Sequence, residues 1–289
     1  ATAKVGSPKL EDWLSGYAPL PGIHDELIGA DGKARAHWLR FLTALARSSG
    51  DEIARRFTAA DRRIRDMGIS HRVYGEVNER PWPLSRMPLL ISSADWQQIS
   101  AGIAQRVDLL ERVLADVYGP AMLVNEGVLP ATAVAGSPEY LRAMRGVKPP
   151  GGRWLRFYAA DIGRGPDGQW WIIDDRAQAP SGSGYALENR LVLSRALPNL
   201  YRSMNVERLA PFFREYREGL RGAAERNDPR ICLLTPGPYS QTYFEHAYLA
   251  RYLGFLLVEG EDLVVSDGKV FVRTIAGLRR ADALWRRVD

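Results

Sequence analysis

The chain has 289 residues, 46% of them hydrophobic and 25% charged, proportions of an ordinary folded protein that exclude wholesale disorder. Its single cysteine, Cys232, excludes a disulfide framework and a cysteine-based zinc cluster. No apolar run reaches the roughly 18 residues of a membrane span, so no membrane partner and a cytoplasmic location are expected. The net charge is +5, and five lysines leave 34 arginines scattered beside acids, too dispersed an excess for a nucleic-acid footprint.

Residues 1–22, through Trp13, Tyr17, Pro19, Pro21 and Gly22, predict irregular structure. Trp38, Leu39, Leu42, Leu45 and Ala46 predict a helix over 35–49 that Gly50 interrupts. Ile53, Phe57, Ala60, Ile64 and Met67 form one face of a second helix from Asp51. Its other face mixes arginines with acids, as a solvated surface does. A short strand is expected over 71–77. After it, Pro81 and Pro83 around Trp82 predict a rigid extended loop.

Ser92 or Ser93 caps the most regular amphipathic helix, carried by Ile99, Ile103, Val107, Leu110, Leu114 and Val117 and ended by Gly119-Pro120. Strands follow over 154–161 and 169–174 around the turn signal Gly165-Pro-Asp-Gly168. Helices are expected over 185–196 and 206–226. From Arg230 come a buried strand over 231–235, a helix over 241–253, a strand over 255–259 and a hairpin around Asp267-Gly268. Strand–helix–strand opens a Rossmann-like parallel unit, here with only two strands. The pattern divides the chain at 1–70, 71–229 and 230–289.

The densest polar constellation lies on the first hairpin. With Gly165 paired to Gly168, Asp161 falls opposite Ile172 and Asp174 is its diagonal neighbour on the same face. Diagonal neighbours lie about 7–8 Å apart, a spacing Mg²⁺ can bridge, and a one-residue slip would separate them. Asp175 points the other way. Equally, these acids suit solvated strand ends paired with Arg164 or Arg176. Ser181-Gly-Ser-Gly184 before a helix can offer amides to a phosphate or serve as a plain turn and cap. Glu188, Asn189 and Arg190 occupy more than one helix face, so one is expected to point inward and need a partner. Arg80 and Arg86 beside Trp82 suit phosphate or carboxylate recognition, against simple packing of Trp82. The four histidines show no metal spacing, and no Ser-His-Asp order or GxSxG elbow is present.

Several motifs taken together carry a resemblance: Tyr74-Gly-Glu, Glu79-Arg-Pro-Trp-Pro-Leu84, Asp161-Ile-Gly-Arg-Gly-Pro-Asp-Gly168, Asp175-Arg-Ala-Gln-Ala-Pro-Ser-Gly182, Gly184-Tyr-Ala-Leu-Glu-Asn-Arg190, Leu234-Thr-Pro-Gly-Pro238, Tyr243-Phe-Glu-His246 and Leu249-Ala-Arg-Tyr-Leu-Gly254. In that order, from about Tyr17 to Asp289, the chain resembles the circularly permuted ATP-grasp proteins, relatives of glutathionylspermidine synthetase-like ligases. The resemblance implies an α/β fold: an N-terminal irregular and helical part, a permuted ATP-grasp segment over 71–229, and an incomplete Rossmann-like pre-ATP-grasp unit from 230.

It also implies an ATP-dependent carboxylate–amine ligase using ATP and Mg²⁺. Asp161 and Asp174 would hold the metal. Arg80, Ser181, Gly182, Ser183 and Gly184 would face the nucleotide, and Arg176, Glu188, Asn189 and Arg190 would form the catalytic wall. Partners would be small-molecule or peptide carboxylates and amines, and a helical C-terminal domain or partner protein of the same family. Two departures stand out. Where ligase relatives read Glu-Asp-Asn, this chain reads Asp174-Asp175-Arg176, which favours a binding module without turnover as the other reading. Family members also run longer, so an N-terminal fragment lacking nucleotide-binding lysines is expected.

Overall fold

Two serines open the two longest helices. In the computed structural model, which describes residues 10–73, 76 and 78–288, Ser49 accepts from the Glu52 amide at 3.2 Å and Ser92 from the Asp95 amide at 3.1 Å. Each satisfies a donor that a first helical turn leaves unpaired. The chain runs α1 (Leu10–Ser15), α2 (Ala36–Leu45), α3 (Gly50–Asp66), β1 (Ser70–Arg72), β2 (Glu79–Pro81), α4 (Ser93–Val117), α5 (Met122–Asn125) and α6 (Ala131–Ala135). There follow β3 (Ala159–Arg164), β4 (Trp170–Arg176), α7 (Ser183–Ala196), α8 (Pro198–Ser203) and α9 (Ala210–Gly222). The last part holds β5 (Ile231–Leu234), α10 (Tyr243–Leu253), β6 (Leu256–Val258), β7 (Leu263–Ser266), β8 (Lys269–Thr274), β9 (Gly277–Arg280) and β10 (Ala283–Arg286).

Helix α7 is shared by two cores. On one side Tyr185, Val192 and Ala196 meet Phe41, Leu42 and Leu45 of α2 and Phe57, Ala60 and Ile64 of α3. On the other, Leu187 joins Phe213 and Leu220 of α9, Leu249 and Leu253 of α10, Leu233 of β5 and Trp285 of β10. Strands β5 and β6 are parallel through α10, and β10 returns parallel to the other side of β5, giving the order β10-β5-β6. A meander, β7-β8-β9, lies between β6 and β10 in sequence.

Four expectations change. Leu10–Ser15 is helical inside the stretch expected to be irregular. The strand near His71 is three residues long and pairs antiparallel with β2, so Arg80 stands in an edge strand and not in a loop. Tyr74, Gly75 and Val77 of that region lie outside the described residues. The first strand of the central hairpin begins at Ala159, not Trp154.

Finally, the parallel unit has a third strand, β10. Its four residues, Ala-Leu-Trp-Arg, are too short and too arginine-flanked to stand out by alternation. The ladder to β5 makes them a strand, started by Asp282, whose carboxylate accepts from the Arg230 amide at 2.7 Å.

Candidate functional site

The central hairpin has two differently furnished faces. Its turn is one residue longer than a Gly165–Gly168 pairing would give: the Gly165 amide donates to the Gln169 carbonyl at 2.8 Å and Arg164 pairs with Trp170. A bulge at Ile173 then moves the register once more. Two single shifts preserve parity, so Asp161 and Asp174 share a face, but as directly opposed residues and not diagonal ones. Their Cα atoms are therefore in the range of about 4.5–5.5 Å, closer than a diagonal pair.

The inner face is turned toward α4 across a groove and is tied at both ends. Near the turn, Arg164 donates to Glu26 at 2.7 Å and to Asp95 at 3.3 Å, with its guanidinium 4.0 Å from the Trp170 ring centre. Burial works to raise the Asp95 carboxyl, but hydrogen bonds from Arg164, Ser92 and Trp170 hold it at about 2. At the other end Asp175 receives both arms of Arg106 and the Tyr158 hydroxyl, the latter at 2.5 Å. The Arg106 and Tyr158 bonds keep Asp175 at about 2. Burial and that same carboxylate push the Tyr158 phenol up to about 12.

The outer face carries Asp161, Asp174 and Arg176 beside the exposed Trp171 and Ile173. Arg176 donates to Asp161 at 2.6 and 3.1 Å, with both side chains about half exposed (47% and 45%). Asp174 accepts from the Asp175 amide at 2.9 Å. Arg164, an alternative partner for these acids, is instead engaged on the inner face. Among the described residues no cluster of three or more His, Cys, Asp or Glu could hold a metal ion. Two opposed carboxylates alone do not suit a self-standing metal site. They do suit Mg²⁺, which keeps waters and is commonly shared between one or two carboxylates and substrate phosphates.

The Ser181–Gly184 loop binds an anion, and that anion is internal. Glu245, in the first turn of α10 and fully buried, accepts from the Gly182 and Gly184 amides at 2.8 Å each and from Ser183 Oγ at 3.5 Å. Its other oxygen receives Arg287 at 3.1 Å, while Arg287 donates to the Pro180 carbonyl at 2.5 Å. Two of the amides expected to face phosphate, those of Gly182 and Gly184, are thus occupied by a carboxylate 61 residues or more along the chain. Gly182 has φ +112°, open to glycine. A Cβ at Gly184 would stand 2.8 Å from Glu245 Cγ and 3.3 Å from Leu249 Cγ, so glycine is what lets α7 approach α10. Burial pushes the Glu245 carboxyl up and the Arg287 guanidinium down, each opposed by the other's charge.

Glu188, Asn189 and Arg190 diverge, as the roughly 100° step between helical residues requires. Glu188 is buried against α10, where the Tyr248 hydroxyl bonds to it and its Oε2 has no partner. Asn189 accepts from Trp82 Nε1 at 2.9 Å, and Trp82 stacks on Tyr185 at 4.0 Å. Arg190 donates outward to the Glu207 carbonyl at 2.8 Å. The single catalytic wall expected of these three is therefore not what the helix builds. Arg80 is exposed and holds Glu76 with two N–H groups. Arg86 lies 3.5 Å from Asp61, and Trp82 is a packing residue.

Next to Glu245, His246 is buried between Thr235 Oγ1 at 2.9 Å and Thr242 Oγ1 at 3.1 Å. Burial, with the Arg287 charge nearby, lowers its imidazole to about 4. An unfolded histidine titrates near 6.5, so stability from keeping it neutral is complete above about pH 6.5 and is lost as pH falls toward 4. At about 1.4 kcal/mol per unit, the loss between pH 7 and pH 5 is about 2 kcal/mol. Urea unfolding at both pH values, in wild type and His246→Gln, checks this. The variant retains Glu245, so only the histidine's share of the pH dependence should disappear; an unchanged dependence would refute the assignment.

Glu245, Arg287, Arg106 and Tyr158 were not singled out from the sequence. Glu245 and His246 fall in a quoted motif, but a pair 42 residues apart leaves no local spacing to read.

The description "circularly permuted ATP-grasp type 2" matches residues 88–289. The chain belongs to that family. Among its relatives, an uncharacterized protein of Mycobacterium tuberculosis is 39% identical over 282 residues, 93% of this chain and 32% of the relative. A second one from that organism is 36% identical over 267 residues, 92% of this chain and 48% of its own. A Synechocystis relative, also uncharacterized, is 32% identical over 280 residues, 96% and 58%. The chain thus spans from about a third to somewhat over half of the length of these curated relatives. Among solved structures, a glutathione synthetase-like effector of Globodera pallida in apo form aligns with a TM-score of 0.51 at 14% identity, over 84% of this chain and 59% of that one. That likeness is one of fold. No helix among the described residues is long and apolar enough to cross a membrane.

Proposed function

We propose that this permuted ATP-grasp chain supplies the metal-nucleotide carboxylates of an ATP-dependent carboxylate–amine ligase acting in the cytoplasm. A substrate carboxylate would take the γ-phosphoryl group with release of ADP, and an amine would then attack the acyl carbon of the acyl phosphate with release of phosphate, leaving an amide. The observation that carries this reading is the directly opposed Asp161–Asp174 pair on the open face of the hairpin.

Asp161 and Asp174 are the residues that would hold Mg²⁺, which when bound neutralises charge on the transferring phosphoryl group. Arg176 adds a fixed cation beside them and orients Asp161 through two N–H donors. The Ser181–Gly184 loop contributes rigidity, because its Gly182 and Gly184 amides are held by Glu245. A further domain or partner of the same family would complete the nucleotide site.

Binding without turnover is the second reading. Arg176 on Asp161 favours it, since a guanidinium occupies oxygen a metal would use. ADP release by the full-length protein, with amine and carboxylate mixtures, separates the two. Under the ligase reading Asp174→Asn lowers release on the order of 100-fold while Mg-ATP binding by calorimetry weakens in parallel. ATP consumption unaltered in both Asp161→Asn and Asp174→Asn rules out the metal assignment, and tight binding with no ADP release selects the binding module.

A further inference from the structure

The bulge at Ile173 creates a local problem. An extra unpaired residue sits immediately before Asp174, so the facing of Asp174 is set by the three rows beyond the bulge, Asp161–Asp174, Ala160–Asp175 and Ala159–Arg176, and by what holds them. A slip of one residue would turn Asp174 from the open face into the groove against α4. That groove holds about 770 Å³, lined by Ile99, Ile103 and Arg106 of α4 and by Ile162, Trp170 and Ile172 of the hairpin.

We propose that Arg106 and Tyr158 are positioning residues for the Asp161–Asp174 pair, acting through Asp175; this rests on the metal reading given above. Successive strand residues point to opposite faces, so pinning Asp175 inward forces Asp174 and Arg176 outward. The pin is a side-on pair of Arg106 N–H groups on both Asp175 oxygens, plus the Tyr158 hydroxyl at 2.5 Å. Arg106 comes from a 25-residue helix and refers the hairpin to α4, while Tyr158, the residue immediately before β3, closes the clamp from the hairpin's own first strand. The Asp175 amide in turn donates to Asp174 Oδ1 at 2.9 Å, limiting that carboxylate's rotation. Arg106 and Tyr158 thus act on the metal pair without touching it.

The test is Mn²⁺ binding, followed by electron paramagnetic resonance in the presence of a non-hydrolysable ATP analogue, for wild type, Asp174→Asn, Arg106→Met and Tyr158→Phe. Asp174→Asn should abolish tight binding. Arg106→Met should weaken Mn²⁺ affinity about 10–100-fold, as loss of an outer-shell partner does, and Tyr158→Phe, which removes one hydroxyl and keeps the ring, should weaken it several-fold. Affinity within about twofold of wild type in both clamp variants, with Asp174→Asn defective, would overturn the positioning role and leave the metal reading standing. Equal behaviour of Asp174→Asn and wild type would overturn the metal reading and this proposal with it.

Discussion

Glu245→Ala should destabilise the protein by about 3–5 kcal/mol, the usual cost of removing one member of a buried ion pair. The loss has three sources. Arg287, only 2% exposed at its side chain, keeps its charge with no countercharge, because a guanidinium does not release its proton in a protein. The Gly182 and Gly184 amides lose their acceptor. A void opens where α7 and α10 touch. Arg287→Met alone should cost a similar amount by stranding the carboxylate. The pair Glu245→Leu with Arg287→Met should cost much less than the two single losses added, since neutralising both charges removes the desolvation problem. Urea unfolding of the three variants gives the cycle. A loss under about 1 kcal/mol for Glu245→Ala would show that the pair contributes little.

Trp285→Ala is expected to cost about 3–5 kcal/mol, as truncation of a buried aromatic does. The side chain is 7% exposed on β10, with ring centres of Tyr216 at 4.8 Å, Phe157 at 5.6 Å and Phe255 at 6.4 Å. It joins the β10-β5-β6 sheet to α9 and to the segment leading into the hairpin. Trp285→Phe should cost clearly less, because much of the apolar volume stays. Denaturant unfolding of both variants measures this, and a near-neutral Trp285→Ala would mean that β10 is not integral to the core. The Arg287 guanidinium lies 5.5 Å from the Trp285 ring, so Trp285 and Glu245 variants combined should not be additive.

Both residues belong to what sequence patterns left unread. Helices with strong local signals were legible: the Ser92 cap, the Phe57–Ala60–Ile64 face, and the turn at Gly165–Gly168, whereas Ser49, expected to close the first helix, instead caps the second. The shared face of Asp161 and Asp174 was legible too, although for an incomplete reason, since two register shifts cancelled in parity. At Gly182–Gly184 the sequence left open a phosphate-facing loop and a plain turn and cap, and neither reading contained the internal carboxylate that the Gly182 and Gly184 amides hold.

What the sequence by itself determined is local: which segments turn, which cap, which alternate, and which motif order marks the family. Backbone conformation and side-chain period reach only a few residues along the chain, and those are what such patterns record. Tertiary structure alone decided that Glu245 reaches the α7 amides, that Arg287 closes the pair, that Asp175 meets Arg106 69 residues away, and that Ala283–Arg286 becomes a strand. Each of these depends on a partner far along the sequence. A carboxylate reads the same in isolation whether it will be solvated, ligate a metal or be sealed in a core, and burial with a countercharge is what settles which.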